Sequence, residues 1–311
     1  MAALRFSFLG IPRLERDGRD VELTVAKAIA LLAYLAVTNR PQHRDRVIDL
    51  LWPESAPDAA RKNLRNTLWA MRKALGDEVL HAENEWLSLQ DSLWVDVRQL
   101  EHVASISNAT LSEQRVAADL YHGPLLDGLV LGDAPDFELW LAAERERLEQ
   151  LYLRLVDSLI DRYRNDGRWA EIVQVARRAL RQDNLQEPMY RALMEAHARQ
   201  GERPEALRQY EQLQGVLEQE LGVEPLPETE ILRAAILNGE LGHVVVPAPS
   251  MSRSARPSTT EGTTQVPFVG RQEELAALDA ELAVAARGEA RVVLLAGEVG
   301  IGKSRLWQEW S

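Results

Sequence analysis

Two stretches of this chain hold residue types that bind phosphate, by two different chemistries. Residues 59–76 carry Arg61, Lys62, Arg65, Arg72 and Lys73 with no Asp or Glu among them. Wound at about 100° per residue, Leu64, Leu68, Met71 and Leu75 share one side of a helix. Arg65, Asn66, Trp69, Lys62, Arg72 and Lys73 fall on the other side. Arginine and lysine reach phosphates or guanine edges, and an asparagine amide matches the edge of adenine. A solvated helix face is the plainer reading of a charge run, but it must account for five cations with no balancing acid beside an indole. Further on, Gly297-Glu298-Val299-Gly300-Ile301-Gly302-Lys303-Ser304 matches G-x-x-x-x-G-K-[ST]. Its glycines let backbone N–H groups face a phosphate, Lys303 reaches the β/γ oxygens, and Ser304 is a ligand for the Mg²⁺ that accompanies a nucleotide.

The elements around these residues must position them. Alternation over residues 4–9, then Asp17-Gly18 between Arg13-Leu14-Glu15-Arg16 and Val21-Glu22-Leu23, predicts short strands and a hairpin. Thr24 is expected to cap a helix over residues 25–38, with Val25, Ile29, Leu32 and Ala36 on one face. A second helix is expected over 43–52, broken by Pro53 and Pro57. Asp58 is the expected N-cap of the cationic third helix, which Gly76 ends after Leu75. Val79-Leu80-His81 and Trp86-Leu87-Ser88-Leu89 bracket a polar turn and predict a second hairpin with an acidic tip, Glu83 and Glu85. Lys27, Arg44 and Arg46 are candidate phosphate contacts, each balanced against a plain surface charge.

From Val97 to about Leu241 the pattern is helical. Leu159 and Leu193, Tyr163 and His197, Gly167 and Gly201, and Glu171 and Glu205 repeat at a spacing of 34, the period of tetratricopeptide repeats. Residues 243–266 are rich in Pro, Ser, Thr and Gly and read as a flexible linker. A third unit opens at Phe268-Val269-Gly270-Arg271 and runs through the strand Arg291-Val292-Val293-Leu294-Leu295 into the phosphate loop.

Bulk properties narrow the function classes. The 311 residues, 46% hydrophobic and 27% charged, suit a soluble protein of two or three domains. There is no cysteine, hence no disulfide frame and no thiolate metal site. No apolar run is long enough for a membrane span, and the N-terminus lacks a signal peptide's apolar stretch, so a cytoplasmic protein with no membrane partner is expected. The net charge of −12 looks unsuited to nucleic acid, yet residues 1–95 hold 13 Lys/Arg and 13 Asp/Glu, so the whole acidic excess lies downstream. The six histidines show no metal-ligand spacing and no nucleophile motif occurs, so no enzyme activity is expected of these residues.

The stretch from Phe6 to Val95 resembles the winged-helix effector domain of bacterial response regulators. The residues carrying the match are Lys27, Leu31-Leu32-Ala33-Tyr34-Leu35, Arg46-Val47-Ile48-Asp49-Leu50-Leu51-Trp52, Arg61-Lys62-Asn63-Leu64-Arg65 and Leu75-Gly76. The helical region after it resembles the bacterial transcriptional activator domain, through Trp140, Arg145, Glu187-Pro188-Met189-Tyr190-Arg191-Ala192-Leu193-Met194 and Gly201-Glu202-Arg203-Pro204-Glu205-Ala206-Leu207. Tyr210 and Glu220-Leu221-Gly222-Val223-Glu224-Pro225 extend that match. Together they look like an activator of the antibiotic-regulatory type. The opening of the third unit, Phe268 to Arg271 with Glu273-Glu274-Leu275, resembles signal-transduction ATPases, in which Val269, Gly270 and Arg271 would lie near the adenine.

The resemblance implies a mainly α, multidomain chain. A winged helix, with an N-terminal β-hairpin sheet and a C-terminal wing, would fill 1–95 and a helical-repeat domain of tetratricopeptide type 96–242. After the linker, 267–311 would be the N-terminal fragment of a P-loop α/β domain of a longer regulator. It further implies double-stranded DNA with direct-repeat sites, a homodimer on DNA, and recruitment of RNA polymerase through Trp52, Pro53, Glu54 and Ser55. ATP with Mg²⁺ would bind the longer protein and would be slowly hydrolysed there. One alternative is a signalling ATPase whose N-terminal modules bind only proteins, and another is a scaffold without DNA.

Overall fold

In the computed structural model, residues 4–241 are described; residues 267–311, with the phosphate loop and Val269, Gly270 and Arg271, lie outside them. The described part is mainly helical with two small sheets. Strands β1 (Leu4–Ser7), β2 (Arg13–Arg16) and β3 (Arg19–Asp20) precede α1 (Ala26–Thr38), β4 (Gln42–His43), α2 (Arg44–Leu51) and α3 (Pro57–Leu75). Then come β5 (Leu80–Glu83), β6 (Trp86–Leu89) and β7 (Trp94–Val95). Seven helices complete the described chain: α4 (Asp96–Ser105), α5 (Leu111–Ala118), α6 (Pro135–Asn165), α7 (Trp169–Gln182), α8 (Glu187–Arg199), α9 (Arg203–Glu220) and α10 (Pro227–Asn238).

The Asp17-Gly18 turn forms as expected, with both residues at positive φ, which a two-residue hairpin turn requires. Its second strand sits closer to the turn than Val21 to Leu23, because Arg16 and Arg19 pair directly across the turn. The first sheet runs β3-β2-β1-β7, and β7 joins β1 in parallel. The second runs β4-β6-β5 and contains the predicted second hairpin, with Asn84 and Glu85 as its turn. Two residues each of β4 and β7 are too short to leave an alternation in the sequence.

Two expected caps are corrected. Thr24 does not cap α1: the cap is Val25, whose carbonyl accepts from the N–H groups of Ala28 and Ile29. The helix buries nine residues from Ala28 to Val37 rather than one stripe, because α2, α3, α4 and β6 all pack on it. Asp58 lies inside the first turn of α3 behind the cap Ala56, and Pro57 opens the helix. There its carboxylate complements the helix dipole and pairs with Arg61 at 3.4 Å. Gly76 ends α3 as predicted, at φ +85°, a backbone that L side chains avoid.

A single hydrophobic core runs from Leu4 to Ala196, so the sheet-bearing part and the first helices behind it share one interior. Polar bonds tie the same parts. Asp96, 1% exposed, accepts from the backbone N–H groups of Phe8 and Leu9 at 2.7 and 2.8 Å and of Val97 at 2.7 Å. Phe8 and Gly10 carbonyls accept from Leu126 and Asp127 at 2.8 and 2.9 Å. Arg145 donates to the carbonyls of Leu125 and Leu126, both at 2.8 Å, and the Trp140 ring meets Tyr34 edge-on at 5.0 Å.

The 34-residue register has a physical counterpart in its turns. Gly167 and Gly201 both have positive φ, at 67° and 80°. In each turn the N–H after the glycine reaches back five residues, from Arg168 to Tyr163 and from Glu202 to His197, at 2.8 and 2.9 Å. Glu187, buried at the start of α8, accepts from the Leu226 N–H and the Thr229 hydroxyl, fixing the start of α10.

Candidate nucleic-acid interface

Helix α3 is split as its spacing predicts. Ala60, Leu64, Thr67, Leu68, Met71 and Leu75 are buried. Lys62, Arg65, Asn66, Trp69 and Lys73 are exposed on the opposite side, Trp69 at 63%, and Arg72 is half-buried between the faces. Lys62, Arg65, Arg72 and Lys73 are in no ion pair among the described residues, so their charge is available to an external anion. Lys73 holds its ammonium 5.0 Å over the Trp69 ring, a cation–π contact that keeps the indole and the charge together on the surface. Arg61 is exposed but shares its charge with Asp58.

The flanking candidates divide. Arg46 is exposed on α2. Arg44 is half-buried and donates through Nε to the Asn84 carbonyl at 2.9 Å, while its backbone N–H donates to Glu85 at 2.8 Å. It fastens the tip of the β5–β6 hairpin to the start of α2. His43 completes that junction: its Nδ1 accepts from the Asp45 N–H, and its ring meets Trp86 edge-on at 5.3 Å. Trp86 itself is 52% exposed at the hairpin tip. The sequence offered His43 as the edge of a helix and Trp86 as a hairpin flank; their pairing across two elements has no linear signature.

Two candidates are corrected. Lys27 is not a free phosphate contact. Its ammonium is largely covered, donates to the Leu51 carbonyl at 2.6 Å and pairs with Asp133 at 2.7 Å. It caps the end of α2 and ties it to the segment before α6. Trp52 does not face out with its loop: it is 7% exposed and packed in the core, with Lys27 5.4 Å from its ring. Pro53 and Glu54 are exposed beside it and Ser55 is half-buried. Among the described residues no group of side chains is placed to hold a metal, and no helix is long and apolar enough to cross a membrane.

Comparison with known proteins adds family to geometry. A model of the bacterial transcriptional activator domain matches residues 96–237, and one of the AAA ATPase domain matches residues 267–311. The regulatory protein AfsR of Streptomyces coelicolor is 30% identical over 98% of this chain. The chain spans about a third of AfsR, 32% of its length. The transcriptional regulatory protein MoaR1 of Mycobacterium tuberculosis is 25% identical, over 76% of this chain and 79% of its own. EmbR of the same organism is 24% identical, over 85% of this chain and 69% of its own. A solved structure of M. tuberculosis EmbR in complex with a low-affinity phosphopeptide covers 93% of this chain and 73% of that one, with a TM-score of 0.57 and 21% identity, a likeness of fold.

Proposed function

We propose that this chain, which is similar to bacterial transcriptional regulators and matches the bacterial transcriptional activator domain over residues 96–237, binds double-stranded DNA sequence-specifically through α3 and activates transcription. The observation that carries this reading is the split of α3, apolar inward and unpaired cations with an amide outward. In it, residues 1–95 are a winged helix with α3 as recognition helix and the β5–β6 hairpin as wing. Residues 96–242 are a tetratricopeptide-like repeat domain, 243–266 a linker, and 267–311 the start of an ATP-binding domain.

Arg65 and Asn66 read base edges, while Lys62, Arg72 and Lys73 contact phosphates and Trp69 lines the groove. Arg46 holds the flanking backbone; Arg44 supports the wing, and Arg61 contributes only through a charge it shares with Asp58. The exposed residues Pro53 and Glu54, with Ser55, form the contact to RNA polymerase, and two copies bind direct repeats. The acidic hairpin tip, with Glu83 and Glu85, makes the wing a positioning element rather than a minor-groove probe.

For ATP the support is the motif from Gly297 through Gly300, Gly302 and Lys303 to Ser304 and the AAA ATPase match over it. In the longer protein, Lys303→Ala is expected to abolish ATP binding, read by equilibrium dialysis; retained binding would reject that role. For DNA, the bound sites are first mapped genome-wide. The double variant Arg65→Ala, Asn66→Ala should then lose preference for them, at about 1–3 kcal/mol per lost base contact. Unchanged preference in the double variant would reject the assignment of α3. Absence of salt-dependent duplex binding in the unaltered chain would favour modules that bind only proteins.

A further inference from the structure

Downstream of residue 95 the chain carries the entire acidic excess of 12 charges, yet three arginines and a single carboxylate line one cleft there. It lies between α5, α6 and α7 and has a volume of about 310 Å³. Arg115 comes from α5, and Arg178 and Arg181 from α7. The one carboxylate in the lining, Asp119, is already bound: Arg178 pairs with it and also donates to its backbone carbonyl at 2.6 Å. The Arg115 charge also acts on Glu171, which is already paired with Arg168. Among the described residues Arg181 donates only to the Arg177 carbonyl, at 3.3 Å.

The floor of the cleft is apolar and fixed. Val156 and Leu159 are wholly buried there, and Tyr152 is 2% exposed. Tyr121 stacks on the Tyr152 ring at 4.2 Å and 9°, which holds the phenol in place. Burial pushes the Tyr152 phenol up, and Arg178 and Arg181 pull it back, so its hydroxyl lies in their field. That hydroxyl takes no hydrogen bond from any side chain among the described residues.

We propose that this cleft binds a small oxyanion, a phosphate or carboxylate carried on a ring-sized apolar body. Guanidinium forks match both oxyanions in two-point geometry. The volume lies at the small end of ligand sites, with room for an aromatic acid or ester and little more. The Tyr152 hydroxyl supplies a neutral donor from below, and the apolar floor takes the ring. The lining shares no residue with α3 or with the Gly297–Ser304 motif.

Phenyl phosphate and benzoate serve as probes, titrated calorimetrically into the whole chain carrying Lys303→Ala, so that the phosphate loop is not the source of binding. At least one probe should bind saturably, one per chain; whichever binds more tightly identifies the oxyanion. Arg115→Ala with Arg181→Ala, both on exposed side chains, should weaken it by about tenfold or more. Tyr152→Phe, which removes one oxygen from the floor, should weaken it several-fold with the melting temperature unchanged. Saturable binding of neither probe, or binding indifferent to the arginine pair, overturns the site. Indifference to Tyr152→Phe removes the hydroxyl from it.

Discussion

Single side chains in this molecule do work that their residue type alone does not announce. Lys27 and Arg65 are both cations on helices, yet one closes an internal junction and the other faces solvent unpaired. Lys27→Met should therefore lower the melting temperature while leaving the salt dependence of DNA binding unchanged. A flattened salt slope in that variant would return Lys27 to the interface. Asp96 offers a second test. Burial raises its carboxyl from 3.8 to about 6, against three N–H donors that pull it down. A group raised in the folded state contributes stability fully below its unfolded value and loses it as pH climbs through the folded value. The acid form is favoured, so the loss should run from about pH 4 to above 6 and amount to roughly 3 kcal/mol at most. Asp96→Asn cannot titrate. Its urea midpoint should gain on the unaltered protein between pH 4.5 and 7.5, and a constant gap would refute the shift.

At the scale of elements, the sequence was most legible where one face is buried. The period of α3, the Asp17-Gly18 turn, the second hairpin and the stop at Gly76 follow from spacing, turn chemistry and backbone sterics. The caps of α1 and α3 were not legible, because Thr24 and Asp58 are good capping types next to positions that the surrounding packing selected instead. Trp52 misled for a related reason. A Pro-punctuated loop reads as exposed, but its first residue closes α2 and turns its ring into the core. Trp52→Ala is expected to cost about 3–5 kcal/mol in chemical denaturation, whereas Glu54→Ala, exposed two residues later, should change stability by less than about 0.5 kcal/mol. Equal effects would mean that the indole does not pack in the core. The arginine cleft had no chance of being read, since its arginines stand on two helices some sixty positions apart.

Across the whole molecule, the continuity of the core matters most. Val95 pairs with Phe6, Asp96 clamps Phe8 and Leu9, and the segment 122–127 runs against residues 8–10. Gly10 and Gly123 permit that approach: a Cβ on Gly123 would sit 3.3 Å from the Gly10 Cα, and Gly10 is held at φ +110°. A cut after Val95 would strip partners from Phe8, Leu9 and Tyr34, so a fragment of residues 1–95 should melt well below the whole chain, by calorimetry. Equal melting temperatures would mean the shared core adds nothing. The charge layout is also a property of the whole: a neutral first part with a cationic helix face can approach DNA despite a net charge of −12.

That α3 lies on the duplex is tested most directly by crosslinking. A photoreactive residue at position 69, where Trp69 is 63% exposed, is compared with one at position 231, where Ile231 is 70% exposed on α10. Irradiated with the mapped DNA site, the chain should crosslink to DNA from position 69 and not from position 231. Crosslinks from 231 with none from 69 would contradict the account.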